Sequence, residues 1–424
     1  MLERSIAIVC LLAAAGASGA EPGSDAHRWL VGVDLGLTSA TGLDSWLDGG
    51  VGKLRYSSSN DGLVANRWYG EYSGRLGPAW SVHLTGDVVD DASTDFDFTE
   101  AYVEWRPVPR SPSRQRLKIG FFHGPWSLEN TGPAWSTPLT LSASAINTWL
   151  GEEVRPIGAE WSLERRVGAR ARQQVTVHAA VFIGNDPAGS LLVWKGWSLH
   201  DRQSRLDDEL PLAPLPQLQP GTMFAKQSPY VAPWREVDGR TGYYAGAEWR
   251  TGRRAMVTLS HYDNRADPTR IEAGQYAWHT RFAQLGAQVA LPGGVGLLTQ
   301  WMTGRTVMGP VLVDAHAVDA DYEASYVLLT RAFGRHRVTL RRDVFDVVDR
   351  DGVPNDDNTD SGNAWTVAYR YERSAHWSFG AEWLRIASWH PAWQYFAQPA
   401  SATERLLQLR LSLRFGAPRA QSAR

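Results

Sequence analysis

Connections along this chain are sorted by length. Short links fall at 76–79, 107–113, 166–171, 251–252, 292–294, 334–335 and 374–376. Long links at 59–65, 89–96, 123–155, 184–240, 263–277, 305–319, 347–363 and 387–403 lie between them without exception. They join segments predicted as strands at 50–58, 66–75, 79–88, 97–106, 114–122, 156–165, 172–183, 241–250, 253–262, 278–290, 295–304, 320–332, 336–346, 364–373, 377–386 and 404–415. A sandwich or propeller has no reason to put every long loop at one end. An up-and-down barrel does, because successive strands cross in opposite directions.

The strands themselves alternate. From Leu407 to Phe415, Leu407, Leu409, Leu411, Leu413 and Phe415 share one face, and Gln408, Arg410, Ser412 and Arg414 share the other. The same dyad runs through Ala101–Trp105, Leu117–Phe121, Val338–Leu340 and Val367–Tyr371, with Arg342 interrupting the apolar face of its strand. Strands of about nine to twelve residues suit a tilted crossing of a hydrocarbon layer. The expected fold is all-β, a transmembrane antiparallel up-and-down β-barrel of about sixteen strands with short periplasmic turns and long extracellular loops. His27–Gly36 also alternates; it is either a further strand, which with a partner would make eighteen, or a segment lying against the mouth. The expected layout is 1–20 signal peptide, 21–49 N-terminal segment or extra strand, 50–415 barrel and 416–424 tail.

The leader rests on Arg4, the apolar run Ile6–Ala15 and the small residues Ser18-Gly19-Ala20, with cleavage after Ala20. Cys10, the only cysteine, lies within it, so the mature chain would hold no disulfide. Mean hydropathy of −0.32 excludes a helical membrane protein but not a barrel, where only alternate strand residues meet lipid. A net charge of −2 argues against a nucleic-acid partner. Twenty Trp and fourteen Tyr suit aromatic girdles at two membrane interfaces, or a secreted β-rich enzyme with a carbohydrate site.

On the leader, the sorted loops and a final amphipathic strand ending in Phe415, the chain resembles a bacterial outer-membrane porin, broadly of the phosphate-selective kind. It departs from that pattern because Gly416–Arg424 follow the terminal aromatic. The resemblance implies a Gram-negative outer membrane, a trimeric assembly, outer-membrane lipid and lipopolysaccharide around the barrel, and recognition of the last strand by barrel-assembly machinery. It implies a channel for small polar solutes or ions. The competing reading is a non-channel barrel plugged by 184–240, with an adhesion, surface-interaction or assembly role.

By position, 123–155 is the loop that narrows such a lumen. Glu129, Glu152 and Glu153 are expected to oppose Arg116, Lys118 and Arg155 across a constriction, giving a transverse field. The wider lumen would be lined by Glu100, Glu104, Arg106, Arg341, Arg370 and Arg410, a mixture that fixes no ion preference. Asp349, Asp351, Asp356 and Asp357 carry the alternate oxygens that Ca²⁺ would need, without the later Glu of an EF-hand; a solvated acidic turn is the preferred reading. No other cofactor is expected. No Gly-x-Ser-x-Gly or His-Glu-x-x-His occurs. Asp90-Asp91, Asp356-Asp357, His83 and His261 are the residues an outer-membrane protease would use, and an enzyme is not expected. Trp194, Trp197, Tyr230 and Trp234 in the fourth long loop would either stack on a sugar or form that loop's own core.

Overall fold

The computed structural model describes residues 26–89, 96–168 and 172–416, so the leader and residues 417–424 of the tail lie outside it. Sixteen strands form one closed antiparallel barrel. They are β1 His27–Thr41, β2 Gly62–Arg75, β3 Trp80–Val88, β4 Asp97–Trp105, β5 Ser113–Phe121, β6 Ile157–Val167, β7 Gln173–Ile183 and β8 Gly242–Thr251. The ring continues with β9 Ala255–Asp263, β10 His279–Leu291, β11 Val295–Leu312, β12 Ala315–Phe333, β13 His336–Asp349, β14 Asp360–Glu372, β15 Trp377–Trp389 and β16 Ser401–Gly416. Each pairs with its neighbours in sequence, and β1 closes the ring on β16 with Val31 opposite Phe415 and Leu37 opposite Leu409.

The expected apolar rows face outward. Leu407, Leu409 and Phe415 are exposed, as are Val338, Leu340 and Val367, while Thr339, Arg341 and Thr366 between them are buried. Trp80, Trp249, Trp301, Trp365, Trp377, Trp383 and Trp389 join that outer surface. Large apolar side chains pointing away from a closed sheet make sense only in lipid, where closure also leaves no unpaired edge.

Two expectations are corrected. The first strand is the alternating segment at residue 27, and 50–58 forms no ladder; the barrel therefore begins at His27 and the count is sixteen rather than eighteen. Residues 50–58 turn inward because Lys53, Leu54, Arg55 and Tyr56 find buried partners in the lumen. The link expected at 305–319 is instead a continuation of β11 and β12 as one hairpin, with Arg305 opposite Asp321 and a two-residue turn at Val313-Asp314. The β-branched Thr306, Val307, Val311 and Val318 favour the extended, paired backbone there.

Three loops enter the barrel: L1 (42–61), L3 (122–156) and L4 (184–241). L3 carries helix α1, Ala145–Glu153, and L4 carries α2, Ser190–Lys195. Their apolar residues, among them Trp46, Leu54, Trp126, Trp149, Leu191, Trp194 and Trp197, share one buried cluster with the inward wall residues Tyr244, Phe282, Met302 and Tyr322. This is a second core, inside the barrel.

Candidate functional site

L3 is gripped by the wall it crosses. Trp126 meets Tyr244, Tyr262 and Phe282 edge-on, with centroids at 4.8, 6.0 and 6.1 Å. The amides of Gln284 and Gln300 donate to its carbonyl at 2.6 and 2.7 Å. Two strands further round the wall, fully buried Arg341 donates from Nε to Asp343 (2.9 Å) and from its two terminal nitrogens to the carbonyls of Ser142 and Ala143, both at 2.8 Å. It also reaches Glu129 at 3.3 Å. Glu382 accepts from the backbone of Leu141 at 2.6 Å and from the Ser142 hydroxyl at 2.6 Å. Arg370 donates to the Thr137 and Thr140 carbonyls at 3.3 Å. Three predicted lumen residues, Glu129, Arg341 and Arg370, are thus brought together on L3 as a clamp. Arg410 extends the clamp to L4 by pairing with Asp201 at 2.6 Å.

The expected opposition of Glu152 and Glu153 to Arg116 and Lys118 does not form. Both acids turn to L4. Glu152 pairs with Lys195 at 2.5 Å and His200 at 2.8 Å; burial works against its charge, but these two partners outweigh it and hold the carboxyl down at about 2. Glu153 caps α2, accepting from the backbone of Leu191 at 2.8 Å and Leu192 at 3.1 Å and from the Trp149 indole at 2.7 Å. Burial still pushes it up to about 7. Gly189 permits the contact, because its φ of 104° is open to glycine and an added Cβ would strike Thr306 at 2.5 Å. Arg155 lies against both Phe121 and Trp234, at 5.0 and 5.1 Å from their centroids, and donates to three carbonyls. Arg116 and Lys118 pair instead with Glu160 on β6, at 3.5 and 3.8 Å. L4 offered these acids closer partners than the wall did. Trp194, Trp197 and Trp234 are buried, so the fourth loop's tryptophans serve packing, not an open sugar platform; Tyr230 is partly exposed.

Open space lies mainly at the short-turn end. A vestibule of about 1370 Å³ is bounded by β4–β13 and roofed by L3 residues such as Pro125, Leu128 and Leu139. Arg106, Arg114, Arg116, Lys118, Arg166, Arg172, Arg250, Arg253 and Arg337 line it, against Glu164 and Glu248. Of the predicted lumen acids, Glu100 accepts from the His123 backbone at 3.0 Å, and Glu104 is buried in the wall. Arg114, Arg166, Arg172, Arg250 and Arg253 lie outside the set that alternation picks out, because they sit beside the short turns, where the strand dyads end. A second, enclosed cavity of about 30 Å³, room for a water or two, lies between L3, L4 and the wall at Arg67, Arg370, Arg410 and Arg414.

The acidic turn in the 350–359 loop is internally engaged. Asp349 accepts from Asp351 and Asn358 backbone amides, Asp351 from Val353, and Asp357 from Thr359. Asp356 accepts from Gln217 of L4 at 2.8 Å. Burial pushes Asp351 up to about 7 and Asp356 up to about 8. Among the described residues, the acids whose oxygens do converge within 4.8 Å are Asp186, Glu236 and Asp238, at the neck of L4. Fifty residues separate them in sequence, which is why no motif announced them. Of the protease-like set, Asp90 and Asp91 fall outside the described residues. His83 bonds Ser73 and Ser81 toward the short turns, away from Asp356, and His261 is exposed on the outer face.

No protein-family model matches the chain, and no curated protein matches it in sequence. Solved structures do. The anion-selective porin from Comamonas acidovorans aligns at 10% identity over 92% of this chain and 99% of its own, with TM-score 0.51. The outer membrane channel DcaP of Acinetobacter baumannii aligns at 11% identity over 92% and 96%, with TM-score 0.51. A loop-deletion form of OmpT, an outer membrane protein of Vibrio cholerae, aligns at 9% identity over 92% and 100%, with TM-score 0.51. The fold is that of an outer-membrane porin barrel. The apolar outer band of the closed barrel fits the lipid layer that such a cylinder crosses.

Proposed function

We propose that the protein is an outer-membrane channel for small anionic solutes. The observation that carries this reading is the basic excess in the vestibule lining: nine Arg or Lys side chains against two carboxylates. Low-dielectric walls focus such a field and raise the local concentration of the opposite ion. Phosphate selectivity is a narrower form of the proposal. It lacks support on the wall that L3 covers, where Arg341, Arg370 and Arg410 hold loops and so offer no free ladder. The trimer and the recognition of β16 by assembly machinery are carried with the porin reading. No hydrolytic role is proposed.

Planar-bilayer recording in a KCl gradient tests this. Discrete conductance with a reversal potential favouring Cl⁻ is expected. Replacing Arg114, Arg250 and Arg253 by Glu would leave six basic against five acidic side chains and should bring the permeability ratio close to unity. A conducting but cation-preferring wild type would sink the anion assignment.

A second reading has its own observation: L1, L3 and L4 share one core inside the barrel. If the full-length protein is silent, and removing 187–233 restores conductance, L4 is a plug and the barrel's role in this state is at the surface.

A further inference from the structure

The outer face of β13–β16 carries a row of arginines where lipid-facing side chains belong. Arg342 lies opposite Trp365, Trp365 opposite Arg385, and Arg385 opposite Arg405, each pair directly cross-strand. All four residues sit on the outward set: Arg342 alternates with buried Arg341 and Asp343, Arg385 with Leu384 and Ile386, Arg405 with Glu404 and Leu406. The Arg342 guanidinium lies over the Trp365 ring, 4.7 Å from its centroid. Among the described residues, none of the three arginines has a carboxylate within ion-pair reach.

That arrangement is unfavourable as it stands. Like charges directly opposite on a sheet repel, and an arginine on the lipid face of a barrel is destabilising in proportion to its depth. By contrast, Arg305 and Arg350, further toward the loops, are tied to Asp319 and Asp321 at 2.6 and 3.0 Å. Depth identifies the missing partner. From Trp377, beside a short turn, to Arg385 is eight residues, roughly 20 Å along the barrel axis at about 3.4 Å per residue and a tilt of about 40°. The apolar band is about 25 Å tall, so Arg385 lies near its loop-side edge and Arg405 at the edge itself, with Arg342 lower and leaning on Trp365.

We propose that this row binds the phosphate of a lipid in the outer leaflet. The guanidinium fork matches a phosphate's oxygens, and Trp365, Trp383 and Leu407 beside it offer an apolar seat for acyl chains. A free ion would gain nothing from that seat. The site lies outside the lumen and does not depend on solute passage.

Full-length protein is exchanged into phosphatidylcholine nanodiscs containing diphosphoryl lipid A, released into detergent, and weighed by native mass spectrometry. Wild type should retain lipid A. Near a charged membrane surface each arginine contributes on the order of fivefold in affinity, so Arg385→Gln should lose about fivefold and the triple R342Q/R385Q/R405Q about a hundredfold. Arg331→Gln, which removes another outward arginine stacked on Phe333 at the short-turn end, should retain it as wild type does. Inorganic phosphate alone should leave thermal unfolding unmoved while lipid A raises it. Equal retention by wild type and the Arg385 variant overturns the proposal, as does equal loss with Arg331→Gln or an equal response to free phosphate. A change from multimer to monomer in the variants would assign the face to a second copy instead. Should the triple fail to fold, the single variant and Arg385→Lys, which keeps the charge but not the fork, carry the same comparison.

Discussion

The two halves of the lumen use the same residue type in opposite ways. At the short-turn end, Arg106, Arg114 and Arg253 stand exposed around open space. Where L3 and L4 fill the barrel, Arg341 and Arg155 are fully buried and every donor that finds a partner finds it on L3, L4 or the nearby wall. A guanidinium in water steers ions; one sealed among carbonyls and carboxylates holds a loop in place. The difference lies in what covers each arginine, not in its position on the strand.

The largest expected effect separates these two roles. Arg341→Ala would leave Glu129 and Asp343 buried without their cation. Losing one member of a buried ion pair costs about 3–5 kcal/mol. Its unfolding midpoint should fall sharply, and proteolysis within L3 should appear. Arg253→Ala, at an exposed turn, should stay within about 0.5 kcal/mol of wild type. Equal destabilisation of the two variants would erase the distinction between clamp and lining.

A smaller effect concerns how L4 is held at the rim. Asp356 accepts from Gln217, a bond that favours its charged form. Burial first and the repulsion of Asp351 and Asp349 next nonetheless raise the carboxyl to about 8. It is this repulsion, not the Gln217 bond, that deprotonation would turn on in the loop. A carboxyl raised in the folded state binds a proton that the unfolded chain, with a value near ~3.9, would already have lost. Its contribution is therefore complete at low pH and lost as pH rises through about 8. Hydrogen exchange in 350–359 and around Gln217 should quicken between pH 6 and pH 9 beyond the intrinsic rate. Asp356→Asn should abolish that extra increment. If the variant keeps the increment, the loop is not gated by this proton.

The cylinder was legible because its cause is local. Alternation sets which face of Leu407–Phe415 meets lipid, and chain reversal sorts the loops. The first strand was misplaced because 50–58 and 27–36 both carry strand-like residues, and only closure against β16 chooses between them. The candidate site was half legible. Glu129 and Arg341 are each inward-pointing and do meet, but the partners of Glu152 and Glu153 are Lys195, His200 and the start of α2, some forty residues on in a loop without periodicity. Whether a charged residue meets water or another loop depends on how L4 folds back, and no spacing rule reaches that far.

The finest test compares the two inner helices. α1 is capped by its own Ser144, whose hydroxyl accepts from the Asn147 backbone at 3.3 Å and side chain at 2.9 Å. α2 begins at Gly189, which offers no side chain, and takes its cap from Glu153 of L3. α1 brings a side-chain cap of its own, supplemented by Glu129 and Asp343 on the Ser144 and Ala145 amides, whereas α2 is finished only when L3 and L4 meet. Ser144→Ala should cost about 1 kcal/mol, the usual loss for an N-cap, and quicken hydrogen exchange in 144–148 while leaving α2 alone. Glu153→Ala should instead expose α2 and loosen L4 as a whole. A Ser144→Ala variant that opened L4 as well would mean the two loops fold as a single unit, and the clamp on α1 would then hold both.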